Sequence, residues 1–337
     1  MTAPGQPQLE TGPVFPASRQ LVALALRYGV VVGFAGVILF FALMAPTFLS
    51  PANIKSVLLN DVALLAIVSL GMTLAVASGG IDLSVGVAVD IASLLFVSTL
   101  LAGFGVGVAI AAGLLGGVAV GLFNASLISG LRVTPFLATL GTLFIGRSVQ
   151  QLAANGGNPV YISAASAPAA LKTIARGEIQ GIPLPLAVVG VLALVFWLLL
   201  ERTRYGRQIL AIGAEPNVAW YSGLRVSRNV AAAYILGSAI SAVAGVILSA
   251  GVSAYVPYSG NAFLLNAIGA TFIGATLDDA GRPSIGGTLL GALLLGFMGN
   301  GLLLIGWNFY WQQVGSGTLI FLVLAISFTG RRLRAGA

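Results

Sequence analysis

Of the 337 residues, 58% are hydrophobic, 7% are charged and 45 are glycine. Soluble domains carry about 25% charged residues, and an aqueous fold of this length could not hide so much apolar surface. With no cysteine and no histidine, zinc sites, thiol nucleophiles and a Ser–His–Asp triad are excluded.

Residues 1–20 are polar and rich in proline, glutamine and threonine, and read as a disordered cytoplasmic tail. A single transmembrane domain over 21–330 follows. A helix needs about 20 apolar residues to cross the hydrocarbon core, and apolar runs fall near 22–45, 57–78, 85–102, 104–130, 134–154, 183–201, 229–250, 262–277, 285–306 and 312–328. Ala42 to Ala45 loosely mimics a signal-peptidase site, but the preceding stretch is long for a signal core and reads as an uncleaved first helix. Backbone groups cannot stay unsatisfied in lipid, so the runs are predicted to be helices. No strand alternation of the outer-membrane type is present. The expected fold is all-α: a polytopic transmembrane bundle of about ten helices.

Arginine and lysine set the orientation. With the N-terminus inside, Arg19, Arg27, Arg132, Arg202, Arg204, Arg207, Arg225, Arg228, Arg282, Arg331, Arg332 and Arg334 fall in the cytoplasm. Lys55, Lys172 and Arg176 fall outside. Both termini are then cytoplasmic, and the net charge of +7 is a topology signal rather than a nucleic-acid footprint.

Two halves, about 57–154 and 229–328, read as internal repeats, as in many transporters. At an offset of 176, Asn124 matches Asn300, Leu127 matches Leu303, Gly130 matches Gly306, and Gly141-Thr142-Leu143 matches Gly317-Thr318-Leu319. At an offset of 200, Ser84-Val85-Gly86 resembles Ser284-Ile285-Gly286. Glycine and serine stripes at Gly113, Gly117 and Gly121, at Gly237, Ser241 and Gly245, and at Gly287 and Gly291 are predicted to pack helix on helix.

Charged and amide side chains inside apolar spans mark a cavity, a path or a partner. Asp90 and Arg147 either form a buried pair that locks the fold or line the path, the pair being the first expectation. Asp61, near the outer end of the second span, reads as a snorkelling interfacial residue. Asp82 or Ser84 is a natural N-cap after the Ser78-Gly79-Gly80 turn. Asp278 to Ser284 has the same form in the second half, and there is no G-x-x-x-x-G-K-[ST] phosphate cradle. The candidate solute path comprises Asp82, Ser84, Asp90, Asn124, Arg147, Gln150, Asn266 and Asn300; Asn124 and Asn300 serve equally as interhelical hydrogen bonds.

The 202–228 loop is the longest cytoplasmic one. Glu215-Pro216 predicts a helix start and Gly223 its stop, giving a short helix that carries Asn217, Trp220 and Tyr221. Aromatic and arginine side chains suit a protein interface; an anionic lipid surface is the other reading.

Several runs in order resemble the permease subunits of bacterial ATP-binding-cassette importers for monosaccharides, the ribose-permease-like family, over residues 25 to 330. They are Ser78 to Gly86, Gly121-Leu122-Phe123-Asn124, Thr134 to Thr142, Thr203 to Gly213 with Ser222-Gly223-Leu224, and Ser284 to Thr288 with Asn300-Gly301-Leu302. The resemblance implies a type II ABC-importer-like fold in the bacterial inner membrane and a second permease subunit, identical or not. It also implies a periplasmic sugar-binding protein and a cytoplasmic ATPase that holds ATP and magnesium, leaving this chain without cofactor, metal or catalysis. Glu215 to Gly223 then looks like the helix that couples to the ATPase, and 153–182 with Trp307 to Trp311 would receive the binding protein; an interfacial aromatic belt is an equal reading of the Trp307–Trp311 cluster. The chain departs from the pattern at Leu264-Leu265-Asn266, where an acid is expected, at Gly274-Ala275 and Ala280-Gly281, where glycine pairs are expected, and at Glu215-Pro216; this bears on which solute is carried. A nucleoside, a cyclitol or a sugar-like signal molecule is the alternative cargo. An ion-coupled carrier using Asp82, Asp90 and Arg147, or a passive channel, is the alternative mechanism.

Overall fold

The computed structural model describes residues 17–335 except 166 and 279; the polar head 1–16 and Asp279 lie outside the described residues. Its helices, in chain order, are α1 (Ala17–Met44), α2 (Pro51–Ala77), α3 (Val85–Leu101), α4 (Val106–Gly130), α5 (Pro135–Ala153), α6 (Ala170–Arg176) and α7 (Leu184–Arg202). There follow α8 (Arg204–Ala214), α9 (Pro216–Tyr221), α10 (Val226–Val252), α11 (Asn261–Ala275), α12 (Ile285–Leu304) and α13 (Phe309–Ala335). Each of the ten expected spans coincides with one long helix. Helix α1 already begins at Ala17, so the last residues of the expected tail are helical.

Two small antiparallel ladders interrupt the all-helical pattern. Strand β1 (Val160–Tyr161) pairs with β4 (Ala254–Tyr255), and β2 (Glu178–Ile179) with β3 (Ile182–Pro183). Both tie down connections on one face, where Lys55 also pairs with Glu178.

The two ends of the bundle are distinguished by what the connections touch. At one end, Gly79 lies against Gly213 of α8, and Ser129 and Ser227 exchange hydrogen bonds between the end of α4 and the start of α10. At the other end are β1 to β4, Lys55 and the α12–α13 turn. Arg132, Arg202, Arg204, Arg207, Arg225, Arg228 and Arg282 belong to connections at the first end; Lys55, Lys172 and Arg176 belong to the second.

Helices α3 and α11 are the shortest of the ten. At 17 and 15 residues they are about 25 Å and 22 Å long, less than the roughly 30 Å hydrocarbon core. They enter from opposite ends, α3 from the α2 side and α11 from the end of α10. Their starts nevertheless touch: a Cβ on Gly260 would lie 2.1 Å from the Gly86 carbonyl oxygen. Both helices therefore begin inside the bundle and run outward in opposite directions. The extended stretches before them carry non-helical backbone at depth, which is tolerated only where protein surrounds it.

Glycine makes these approaches possible. Gly113, Gly117 and Gly121 meet α3 and α10 side chains and backbone, Gly245 meets Val89, and Gly287 and Gly291 meet Gly274 and Ala270. The stripes therefore pack helices, as expected. The most centrally buried helix, α2, has nearly every residue from Ala63 to Ala77 buried, and it crosses α10 at Gly71 and Gly237.

Helices α2, α3, α4 and α5 begin at 51, 85, 106 and 135, and α10, α11, α12 and α13 begin at 226, 261, 285 and 309. Each pair is thus 174 to 179 residues apart. This order sets α3 opposite α11, so the Ser84–Ser284 match at an offset of 200, which would align α3 with α12, does not follow the helix order.

The α2–α10 crossing tolerates no side chain. A Cβ on Gly71 would come within 2.6 Å of the Gly237 carbonyl oxygen, whereas one on Gly36 meets nothing within 4 Å. Gly71→Ala is expected to cost about 1 to 3 kcal/mol by overpacking, seen as a lowered thermal midpoint in detergent. Gly36→Ala is expected to leave the midpoint unchanged.

Candidate functional site

The polar residues predicted for the path fall into three groups. The first is a buried chain across three helices. Asp82 accepts hydrogen bonds from the Ser84 backbone N–H at 2.8 Å and from its hydroxyl at 2.6 Å. Asn124 of α4 donates to the Ser84 hydroxyl oxygen at 2.6 Å, and Thr142 of α5 donates to the Asn124 side-chain carbonyl at 2.6 Å. All four side chains are buried. Ser84 occupies the N-cap position of α3, yet its hydroxyl serves Asp82 instead of capping. In the second half, Ser284 does cap α12 through the Gly287 N–H.

The second group holds the start of α11. Asp90, on α3, accepts from the Gly260 N–H at 2.8 Å, and Gln150, on α5, accepts from the Tyr258 N–H at 2.9 Å. Asp90 and Gln150 are both buried to within 1%. The expected Asp90–Arg147 pair is not formed. Arg147 is exposed on α5, as are Ser148 and Gln151, whereas Gln150, one turn on, is buried and is engaged by the Tyr258 N–H. Asn300 likewise binds another side chain: it and Asn53 exchange hydrogen bonds at 2.9 and 3.3 Å, tying α12 to the first turn of α2.

The third group surrounds open space. A cavity of about 230 Å3 lies between α2, α11, α12 and α13. Asn60 and Asp61 reach it from a π-helical turn in α2, Asn261 and Asn266 from α11, and Gln312, Gln313 and Ser316 from α13. Leu295 and Gly296 of α12 close its wall. Only Asn266 of the predicted path residues lines it. Asp61 is half-buried there rather than snorkelling at an interface.

The short helix expected in the 202–228 loop is present. Helix α9 starts at Pro216 after Glu215 in the N-cap position, ends at Tyr221, and is followed by Gly223 at φ 80°. Trp220 and Tyr221 stand 64% and 82% exposed with their rings edge to face. Buried Ala219 anchors the opposite side of the helix beside Ile212 and Tyr234. Across the bundle, Trp307 and Trp311 also pair edge to face, with ring centres 5.7 Å apart.

Comparison with known proteins adds identity to this geometry. Residues 54–324 match the family model described as "Branched-chain amino acid transport system / permease component". The chain is 33% identical over 300 residues to the ribose import permease protein RbsC of Bacillus subtilis, covering 89% of this chain and 92% of that one. It is 34% identical over 266 residues to autoinducer 2 import system permease proteins LsrD of Yersinia enterocolitica and Yersinia pseudotuberculosis, covering 79% of this chain and 80% of each. No solved structure matches.

The buried chain makes a sharp distinction between fold and path. Removing the Asn124 amide deletes two buried hydrogen bonds, although the Ser84 and Thr142 hydroxyls keep donating to Asp82 and to the Ala138 carbonyl, so Asn124→Ala is expected to cost about 1 to 2 kcal/mol of stability, read as a lower thermal midpoint. Arg147→Ala, on the exposed face, is expected to shift stability by less than about 0.5 kcal/mol.

Proposed function

The chain belongs to the permease-component family described for branched-chain amino acid transport systems, and from that premise we propose that it is the membrane subunit of an ATP-binding-cassette importer for a monosaccharide. The similarity to a ribose import permease along nearly the whole chain supports the cargo class. A sugar-like signal molecule is the second reading, favoured by the similarity to autoinducer 2 permeases.

The observation that carries the mechanism is α9. A two-turn helix held by one buried alanine presents a tryptophan and a tyrosine to solvent, in a connection that also carries Arg204, Arg207 and Arg225. Large aromatic and arginine side chains make strong anchors when a partner desolvates them. On this reading α9 seats in a groove of a cytoplasmic ATPase, which holds ATP and magnesium. Glu215, Pro216, Asn217, Trp220, Tyr221 and Gly223 form the contact. Nucleotide-driven movement of that partner would shift α9, and with it α8 and the Gly79–Gly213 contact at the end of α2. Such rigid-body helix shifts are an established route for switching states.

The arginine-rich end is then cytoplasmic by the positive-inside rule, in a bacterial inner membrane with both termini inside. The opposite end, with the folded 153–182 segment and the Trp307–Trp311 pair, would receive a periplasmic sugar-binding protein. A second permease subunit is supported by α5. Arg147, Ser148 and Gln151 project outward from the last two turns of α5, where a charge turned to lipid is costly unless it finds water or a partner. Facing a partner permease across a hydrated path removes that cost. The matching spacing of the two sets of four helices supports halves derived from a repeat, one over about 57–154 and the other over about 229–328.

An ion-coupled carrier fits less well. Its coupling set would be Asp82, Asp90 and Arg147, but each carboxylate holds a backbone N–H and Arg147 faces away.

Purification from detergent with the transport complex intact tests the reading. An ATPase is expected to co-purify with the wild-type chain and to be lost by about tenfold or more with Trp220→Ala plus Tyr221→Ala, since two anchors at about 1 to 2 kcal/mol each suffice. If no nucleotide-binding protein accompanies the intact chain, the ATP-driven reading fails.

A further inference from the structure

We propose that the cavity between α2, α11, α12 and α13 is a solute-holding chamber selective for small neutral polyols, with Asp61 as its hydroxyl-binding carboxylate. The inference rests on the importer reading for its physiological role, but its geometry stands apart from α9 and from any ATPase.

The lining is unusual for a membrane bundle. Five of its side chains are amides, Asn60, Asn261, Asn266, Gln312 and Gln313, with the Asp61 carboxylate and the Ser316 hydroxyl beside them. An amide both donates and accepts, as a sugar hydroxyl does, so such a surface replaces the water around a polyol without favouring one protonation state. A carboxylate has two acceptor oxygens and can receive two neighbouring hydroxyls. Among the described residues, no lysine or arginine lines the cavity, so an anionic solute would meet one acid and no cation there. The volume of about 230 Å3 lies below the ~300 to 1,000 Å3 typical of pockets for drug-sized ligands, which suits a small solute.

The backbone also explains why polar groups stand here. The π-helical turn at Leu58–Val62 adds a residue to α2 just where Asn60 and Asp61 occur, and such turns often accompany functional sites. Helix α11 begins at mid-bundle, which brings Asn261 and Asn266 to the chamber instead of to the surface. Gly299 leaves room for the Gln312 amide, since a Cβ there would lie 2.4 Å from its nitrogen. The chamber reaches from the β1–β4 side to mid-bundle: Gln312 and Gln313 sit in the opening turns of α13, Asn60 lies nine residues, about 14 Å, along α2 from its start at that face, and Asn261 opens α11.

The absence of native cysteine makes the test direct. Gln313→Cys and Asn266→Cys are introduced singly into the full chain, reconstituted in vesicles, and the rate of reaction with a water-soluble maleimide is measured. D-Ribose is the probe, ribose 5-phosphate the anionic comparison, and Tyr161→Cys, exposed on β1, the control. With D-ribose at about ten times its half-protecting concentration, occupancy is expected to slow labelling at 313 and 266 about tenfold and leave 161 unchanged. Adding Asp61→Asn, which keeps size and removes charge, is expected to raise the half-protecting concentration about tenfold. The proposal is overturned if D-ribose, xylitol and myo-inositol all fail to protect either cysteine, or if ribose 5-phosphate protects as well as D-ribose. An unchanged half-protecting concentration in Asp61→Asn would remove the carboxylate from the assignment. The two readings fail separately: protection without a co-purifying ATPase sinks the importer and keeps the chamber, and the converse sinks the chamber alone.

Discussion

Two helices that begin in the middle of the bundle impose the constraint on which the rest of the structure depends. A helix start leaves backbone N–H groups without partners, and at membrane depth no water is available to take them. Here the starts of α3 and α11 meet at Gly86 and Gly260. Asp82 takes the Ser84 N–H, Asp90 takes the Gly260 N–H, and Gln150 takes the Tyr258 N–H. An acid beside a helix start also suits the positive end of the helix dipole. The three side chains come from different segments, so satisfying these N–H groups also fixes α3, α5 and the α10–α11 connection against one another.

The same constraint divides the polar residues by purpose. Those committed to backbone or to each other, Asp82, Ser84, Asn124, Asp90 and Gln150, are fully buried and hold the scaffold. Asn300 is spent on Asn53. Polar groups left to face space are those of the α2–α11–α12–α13 cavity and those on the outer face of α5. Because α11 starts at depth, its first residues can line a cavity rather than an interface. The buried network therefore positions the chamber as well as the helices. At the arginine-rich end, the Gly79–Gly213 contact joins the deep 78–84 stretch to α8 and so to α9, a continuous packed route between the exposed aromatic pair and the bundle centre.

Much of this was legible in the residues. Ten apolar runs located ten helices to within a few residues, apart from the starts of α1 and α2 and the end of α13, because a long unbroken apolar run leaves little freedom. Pro216 and Gly223 marked α9 because proline suits a first turn and glycine tolerates the φ of 80° that ends it. The small-residue stripes marked crossings for the same steric reason. Path residues were read less well. Asp90 and Arg147 looked like partners because both interrupt apolar spans, but the rotation of α5 separates them. Asp61 looked interfacial because it was counted from the helix end, whereas the π-turn and the neighbouring α13 place it at a cavity. The adjacent pairs Asn60-Asp61 and Gln312-Gln313, each within a predicted membrane segment or at its start, were the available signal for the chamber.

Composition and the placing of the apolar runs determined the solvent, the helical class and the charged end, since these follow from transfer of single side chains and segments between water and lipid. The sequence also determined α9, whose start and stop are local. Tertiary structure alone decided which polar groups are consumed by the scaffold and which remain available to a solute. That distinction depends on hydrogen bonds between residues as far apart as Asp90 and Gly260, 170 positions along the chain. Period and spacing describe one helix at a time, whereas the satisfaction of a buried N–H depends on which other helix is rotated toward it.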